Sequence, residues 1–218
     1  MNVRLMIADD HKLLRQGLRS LIEKETGMSI VGESENGKET TDMARKLMPH
    51  VVVMDVAMPD LNGIEATRRI TEQNPKIKVV ALSGHHDRHF VAEMLKAGAS
   101  AYVLKDTAYE ELIRAIREVM NGKTYLSPAA AQGVVDMFVR APAGQSAKPA
   151  FASLTERERE VLQLLAEGRS TKEMAEAMDV SVKTVETHRR NIMEKLDLHS
   201  VAQLTRYAIR EGVTSLDV

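Results

Sequence analysis

The sequence contains no cysteine and no tryptophan, and its only aromatic residues are four tyrosines and three phenylalanines. Without cysteine the chain cannot form disulfides, bind zinc through thiolates or use a cysteine nucleophile. It also lacks any apolar run near the roughly 20 residues that span a bilayer. The first ten residues pass from a short apolar run into acids, which is not the pattern of a secretory signal. We therefore expect a cytoplasmic protein that makes no use of a membrane.

An excess of charge of one sign is missing as well. The 30 Lys and Arg residues are balanced by 31 Asp and Glu residues, for a formal net charge of −1. No global basic field attracts nucleic acid, so any contact with DNA must come from a local patch. The 218 residues are enough for one large or two modest domains with real cores.

Short apolar runs alternate with longer amphipathic segments up to about residue 122. The runs predict five strands, at Val3–Ala8, Ser29–Glu33, Val51–Asp55, Ile77–Ser83 and Ala101–Leu104. Five helices are predicted between and after them, and glycines at 98 and 122 are expected to end the last two. This alternation predicts a doubly wound parallel sheet with helices on both faces.

The pattern changes after residue 122. Ser127 and Pro128 predict the start of a further helix to about Arg140, and the proline-containing segment 141–150 reads as a linker. From residue 153 onward only helical periodicity remains, and four helices are expected. Two of them are short, joined by a tight turn at Asp179, and the second carries basic residues, which indicates a helix-turn-helix. The predicted organisation is a first domain at 1–122, a linker helix and flexible linker at 123–152, and a helical domain at 153–218.

Acidic residues stand where two of the predicted strands end. Asp9 and Asp10 follow the first strand and Asp55 ends the third, while Lys105 follows the fifth. We expect the first, third and fifth strands to be central, so that these side chains meet at the carboxyl edge of the sheet. Three converging carboxylates repel one another unless a cation lies among them, and Mg²⁺ is the natural candidate for oxygen ligands. A carboxylate beside Mg²⁺ and a lysine can attack an activated phosphoryl group.

Several spaced motifs in residues 1–122 resemble the receiver domain of two-component response regulators. They are Asp9-Asp10, Met54–Pro59 with Asn62-Gly63, Ser83, and Tyr102–Lys105. The resemblance implies a flavodoxin-like fold in which Asp55 accepts phosphate from a sensor histidine kinase. It also implies the Mg²⁺ ligands, which would be Asp10, Asp55, the Ala57 carbonyl and, through water, Asp9. It further implies that Ser83 and Lys105 bind the phosphoryl group and that Tyr102 swings inward as a switch.

The C-terminal part resembles the LuxR-type helix-turn-helix, through Leu154–Glu158 and the segment from Ser181 to Leu196. Both halves together resemble the NarL/FixJ subfamily of response regulators. Four residues at helical spacing i, i+3, i+4 and i+7 share one face and are the expected base readers: Lys183, Glu186, Thr187 and Arg190. Three further residues are expected to contact phosphates: Thr184, Arg189 and Lys195.

Residues 151–218 contain ten Lys and Arg against twelve Asp and Glu, a net charge of −2. A single module of this kind should bind DNA weakly, so we expect a homodimer after phosphorylation that binds paired half-sites. A candidate dimer face on the last helix consists of Val201, Leu204, Thr205 and Ala208, with ordinary core packing as the alternative. RNA polymerase is a candidate further partner.

Each site residue also has a purely structural explanation. Asp10 could cap the first helix, Ser83 its own loop, Tyr102 could fill the sheet, and Lys105 could be a solvated strand end. Two other functions share some of these features. One is a phosphatase with an aspartyl-phosphate nucleophile, and the other is a phosphate-independent DNA-binding protein with a vestigial receiver. We expect a regulator of transcription and not an enzyme, because the acidic pocket and the helix-turn-helix occur together.

Overall fold

The computed structural model describes residues 2–84, 88–106, 109–139 and 150–214. The chain divides into two compact units, of which the first comprises Met1–Met58 and Asn62–Ala141 and the second includes Pro142–Val218. The predicted flexible linker at 141–150 lies almost wholly outside the described residues. So do His85 and His86, which with His89 form a cluster whose sequence pattern is more typical of solvated histidines than of a zinc site. The finer division at residues 122 and 152 stays a prediction.

The first unit is built on one parallel sheet with strand order β2-β1-β3-β4-β5-β6. Its strands are β1 (Val3–Ala8), β2 (Met28–Ser34), β3 (Val51–Asp55), β4 (Lys78–Ser83), β5 (Ala101–Leu104) and β6 (Tyr125–Leu126). This order is that of a flavodoxin-like doubly wound sheet with one strand added beyond β5. The predicted fold class is therefore confirmed.

The expected count of five strands was wrong by one. Strand β6 has only two residues, which pair with Ala101 and Tyr102 of β5. A two-residue strand has no alternation that a sequence pattern can reveal. It exists because the chain leaving the preceding helix runs alongside the open edge of β5, where the amide of Ser127 donates to the carbonyl of Tyr102 at 2.9 Å.

In the described part of this unit there are six helices: α1 (Lys12–Ile22), α2 (Gly37–Leu47), α3 (Gly63–Gln73), α4 (Arg88–Lys96), α5 (Tyr109–Met120) and α6 (Pro128–Val139). Gly98 and Gly122 follow α4 and α5 with positive φ values of +99° and +77°, so the predicted stops are confirmed. One core cluster joins the apolar faces of α1 and α5 to β1, β3, β4 and β5.

Strand β3 is buried along its whole length, as expected of a central strand in a parallel sheet that helices cover on both faces. At its end, α3 approaches the sheet very closely. The amide of Gly63 donates to the carbonyl of Val56 at 2.9 Å, and a Cβ atom on Gly63 would stand 1.9 Å from the carbonyl oxygen of Asp55. Asn62 caps α3 by accepting a hydrogen bond from the amide of Glu65. This packing holds Asp55 at a fixed place.

The second unit is helical. A short 3₁₀ helix (Ala150–Ser153) precedes α7 (Glu156–Ala166), α8 (Thr171–Met178), α9 (Val182–Leu196) and α10 (Val201–Arg210). Thr155 and Ser170 form capping boxes at the first two of these helices, and serines at 181 and 200 cap the other two. The four predicted helices are confirmed. Within the described residues, no helix is both long and apolar enough to cross a membrane.

Candidate functional site

Three carboxylates meet at the carboxyl edge of the sheet. Asp9 follows β1 and is 1% exposed, Asp55 ends β3 and is 3% exposed, and Asp10 lies at the surface beside them. Oxygen atoms of all three, together with a ring nitrogen of His11, lie within 4.8 Å of one another. The N-cap residue of α1 is His11 and not Asp10. The structural explanation of Asp10 as the cap of the first helix is therefore wrong.

The side chain of Lys105 reaches between two of these carboxylates and supplies a positive charge. Its Nζ atom lies 2.8 Å from Oδ2 of Asp9 and 2.8 Å from Oδ2 of Asp55. The solvated-strand-end explanation for Lys105 is therefore wrong, because its side chain is only 19% exposed and holds two buried carboxylates. Burial on its own lowers the pKa of Lys105, but the two carboxylates outweigh burial and raise it, so the ammonium form is favoured.

The charge on Asp55 is only partly compensated. Burial raises the pKa of the Asp55 carboxyl above its ordinary value, and the neighbouring Asp9 carboxylate raises it further, while Lys105 acts in the opposite direction. A second positive charge would relieve this imbalance. The donor set of carboxylate oxygens fits a hard divalent cation, so the residues present fit Mg²⁺.

The remaining predicted pocket residues lie on the adjoining strands. Ser83 ends β4 and is fully buried, and its carbonyl accepts a hydrogen bond of 2.7 Å from the amide of Lys105. Tyr102 on β5 is also fully buried. The amide of Ala57 donates to Oδ1 of Asp55 at 3.4 Å, so the backbone of Ala57 passes beside the carboxylate. The structure thus brings Ser83 and Ala57 to the same edge as the acids, while Tyr102 lies within β5.

Two residues near the pocket were missed in the sequence. His11 directs Nδ1 toward the acids, 2.9 Å from Oδ1 of Asp10 and 3.2 Å from Oδ1 of Asp9. Arg15 is only 6% exposed, and its guanidinium donates to the carbonyl of Asp9 at 2.6 Å and pairs with Glu35. The only signal in the sequence was the position of Arg15, six residues after Asp9 and in the first turn of the predicted helix.

Helices α8 and α9 form the predicted helix-turn-helix. Asp179 ends α8 in the left-handed conformation with φ of +54°, and Ser181 starts α9 two residues later. Val185 and Ile192 of α9 are fully buried in the core of the unit. The opposite face of α9 is open to solvent at Lys183, Glu186 and Arg190.

The other predicted DNA-contact residues are more constrained. Thr187 is half-buried and donates to the carbonyl of Lys183, and Thr184 forms a 2.8 Å hydrogen bond with the Ser181 hydroxyl. Arg189 is half-buried. Lys195 has a structural partner, because its Nζ atom lies 2.7 Å from Oε2 of the buried Glu158. The sequence did not reveal this ion pair, since its partners lie 37 residues apart.

The candidate dimer face on α10 is mostly interior. Leu204 and Ala208 are fully buried in the core of their own unit, so the alternative of core packing holds for them. Val201 is 44% exposed and Thr205 is half-buried. Only these two residues of the four are left to contact another molecule.

Comparison with known proteins identifies both units. Residues 5–117 match the response regulator receiver domain, and residues 152–208 match the luxR family of bacterial regulatory proteins. The chain is 35% identical over 213 residues to the transcriptional regulatory protein MctR of Rhizobium johnstonii, covering 98% of this chain and 96% of that protein. It is 33% identical over 215 residues to the response regulator UvrY of Escherichia coli K12, covering 99% and 97%.

The chain belongs to the NarL/FixJ family of response regulators. It combines a receiver domain with a LuxR-type DNA-binding domain, and it is a transcription regulator rather than an enzyme, which removes the phosphatase alternative. Among solved structures, RcsB from Salmonella enterica serovar Typhimurium, bound to promoter P1flhDC with phosphomimetic BeF₃⁻, is 25% identical with a TM-score of 0.62. That match covers 98% of this chain and all of the RcsB chain.

Proposed function

We propose that this response regulator is switched by phosphorylation of Asp55 and that the phosphorylated form dimerises on DNA. The observation that carries the proposal is the pair of 2.8 Å contacts by which Lys105 joins Asp9 and Asp55 at the sheet edge. Such an arrangement fits a carboxylate that must react as a nucleophile next to positive charge. The receiver domain makes a sensor histidine kinase the expected phosphate donor.

In the proposed reaction a carboxylate oxygen of Asp55 attacks the phosphorus atom. The bond from phosphorus to the histidine nitrogen of the kinase breaks, and its electron pair stays on that nitrogen. Mg²⁺, held by Asp10, Asp55 and the Ala57 carbonyl and by Asp9 through water, would neutralise charge on the phosphoryl oxygens. Lys105 would supply a second positive charge, and we assign the hydroxyl of Ser83, the last residue of the adjoining strand β4, to binding the phosphoryl group.

The proposed output is DNA binding through α9. Its solvent face carries Lys183, Glu186 and Arg190, which we assign to base edges together with Thr187. We assign Thr184, Arg189 and Lys195 to the phosphate backbone, although Lys195 must then share its charge with Glu158. DNA is the stated ligand of the RcsB structure, and chromosomal DNA as target would place the protein in the bacterial cytoplasm.

Dimerisation follows from the charge of the DNA-binding region. With a net charge of −2 over residues 151–218, one module neutralises few phosphates, and non-specific affinity should be low. Two modules on adjacent half-sites bind with a higher effective concentration. Phosphorylation would therefore control DNA binding mainly through the oligomeric state. We keep RNA polymerase as a candidate partner of the DNA-bound form.

A first experiment tests the phosphoacceptor. The full chain is treated with acetyl phosphate and Mg²⁺, and its mass and oligomeric size are measured. We expect one phosphoryl group and a larger particle for the wild type, and neither for Asp55→Asn. Asp42→Asn is the matched control, since this exposed aspartate on α2 lies outside the pocket. Phosphorylation of Asp55→Asn would refute the assignment, and equal operator binding by wild type and Asp55→Asn would favour the vestigial receiver.

A second experiment tests the reading face. Arg190→Ala should lose affinity for a selected operator by at least tenfold while its affinity for random DNA changes little, because base contacts specify and phosphate contacts do not. Arg45→Ala is the control, because Arg45 is an exposed arginine of α2, outside the DNA-binding domain. Equal losses on operator and random DNA would show that Arg190 contacts only the backbone.

A further inference from the structure

The histidine that follows the acidic pair places an imidazole nitrogen beside the pocket. His11 is the N-cap residue of α1, yet its side chain accepts no hydrogen bond from that helix. Its ring instead faces the acids, with Nδ1 2.9 Å from Oδ1 of Asp10 and 3.2 Å from Oδ1 of Asp9. The backbone amide of His11 donates to the same oxygen of Asp9 at 2.8 Å, which holds the backbone of His11 beside the acids.

These separations suit ligands of one cation. Two ligand atoms each about 2.1 Å from a metal and about 90° apart are roughly 3 Å from each other. The ring nitrogen and the carboxylate oxygens of Asp10 and Asp9 have that spacing, and an oxygen of Asp55 belongs to the same group of atoms within 4.8 Å. The ring is 67% exposed, so it can rotate onto a bound ion with little rearrangement.

We propose that His11 makes the pocket a mixed nitrogen–oxygen site that binds borderline transition-metal cations such as Co²⁺, Fe²⁺ and Zn²⁺ in preference to Mg²⁺. This rests on the proposed function, because the ion shares Asp10 and Asp55 with Mg²⁺. Mg²⁺ gains little from an imidazole, whereas the later first-row cations bind imidazole well. The regulator would then respond to the metal available as well as to its kinase, since a transition cation at this site displaces Mg²⁺.

The test uses Co²⁺ alone as the probe, with no phosphodonor, on the full chain. Equilibrium dialysis gives the affinities for Co²⁺ and Mg²⁺, and proton NMR detects imidazole ring signals shifted by bound Co²⁺. We expect His11→Ala to lose at least tenfold in the ratio of Co²⁺ to Mg²⁺ affinity and to lose one set of shifted ring signals. Excess Mg²⁺ should remove the same set from the wild type.

His199→Ala is the matched control. His199 is also an exposed imidazole beside a carboxylate, with Nε2 3.4 Å from Asp197, but it lies in the other unit. It should retain the wild-type affinities. The proposal is overturned if His11→Ala keeps the wild-type ratio or the full set of shifted signals, or if Mg²⁺ does not compete. These outcomes are separate from the proposed function, which is tested by phosphorylation of Asp55 in Mg²⁺ alone and by the operator binding that follows it.

Discussion

Replacing Gly63 by alanine tests how tightly the end of β3 is held. A Cβ atom at this position would lie 1.9 Å from the carbonyl oxygen of Asp55, and contacts of this kind essentially never fall below 3.0 Å, so atoms must move by at least 1.1 Å. The neighbouring atoms are backbone and cannot rotate away. Overpacking of this kind costs about 1–3 kcal/mol, and we expect Gly63→Ala near the upper end. A 1 Å displacement of a reacting group can reduce its rate by about 100-fold.

Urea unfolding of the full chain and the rate of Asp55 phosphorylation by acetyl phosphate measure both effects. Gly17→Ala is the control, because Gly17 lies on the exposed face of α1 and a Cβ there meets nothing within 4 Å. Alanine in place of a mid-helix glycine stabilises by about 0.5–1 kcal/mol. We expect the two variants to shift the unfolding midpoint in opposite directions. If Gly63→Ala unfolds at the midpoint of Gly17→Ala and is phosphorylated at the wild-type rate, the close approach of α3 does not position Asp55.

Three further predictions concern charge and capping. Lys105→Met should destabilise the receiver by about 3 kcal/mol in the absence of metal, since it leaves two buried carboxylates uncompensated, and Mg²⁺ should raise its melting temperature more than that of the wild type. Burial acts to raise the pKa of Glu158, but hydrogen bonds, chiefly from Lys195, outweigh it and lower the pKa. The free energy that the ionised Glu158 contributes to folding is fully present above the ordinary pKa of 4.5 and is lost as the pH falls through the lowered pKa. In acid, the melting temperature of Glu158→Gln should therefore depend less on pH than that of the wild type. Ser181→Ala should cost about 1 kcal/mol, as measured by urea unfolding, because it removes the cap of α9.

The sheet could be predicted closely where the sequence pattern is unambiguous. Three predicted strands, Val3–Ala8, Val51–Asp55 and Ala101–Leu104, have the observed bounds, because buried parallel strands are short apolar runs. The position of the acidic pocket could be predicted from these strands, because residues at the carboxyl ends of neighbouring parallel strands meet at one edge of the sheet. The identity of the family came from the spaced motifs and not from composition, which is almost neutral in charge.

What the sequence could not show depends on tertiary contacts. The ion pair between Glu158 and Lys195 joins residues far apart in the chain, so Lys195 looked like a free cation on the DNA-binding helix. The apolar residues of α10 fit either a core or a dimer face by periodicity, and the structure shows that Leu204 and Ala208 belong to the core. The orientation of the His11 ring is likewise a matter of three-dimensional packing.

The geometry of Lys105 constrains how the proposed switch can work. An ammonium group has three N–H donors, and Lys105 already directs two of them to Asp9 and Asp55. A phosphoryl group on Asp55 removes the negative charge from the carboxyl oxygen that carries it and places new charge farther out. In the proposed switch, Lys105 would direct its remaining donor, or the one that now contacts Asp55, to the phosphoryl oxygens. Because the amide of Lys105 donates to the carbonyl of Ser83, a movement of the Lys105 backbone would also displace the end of β4.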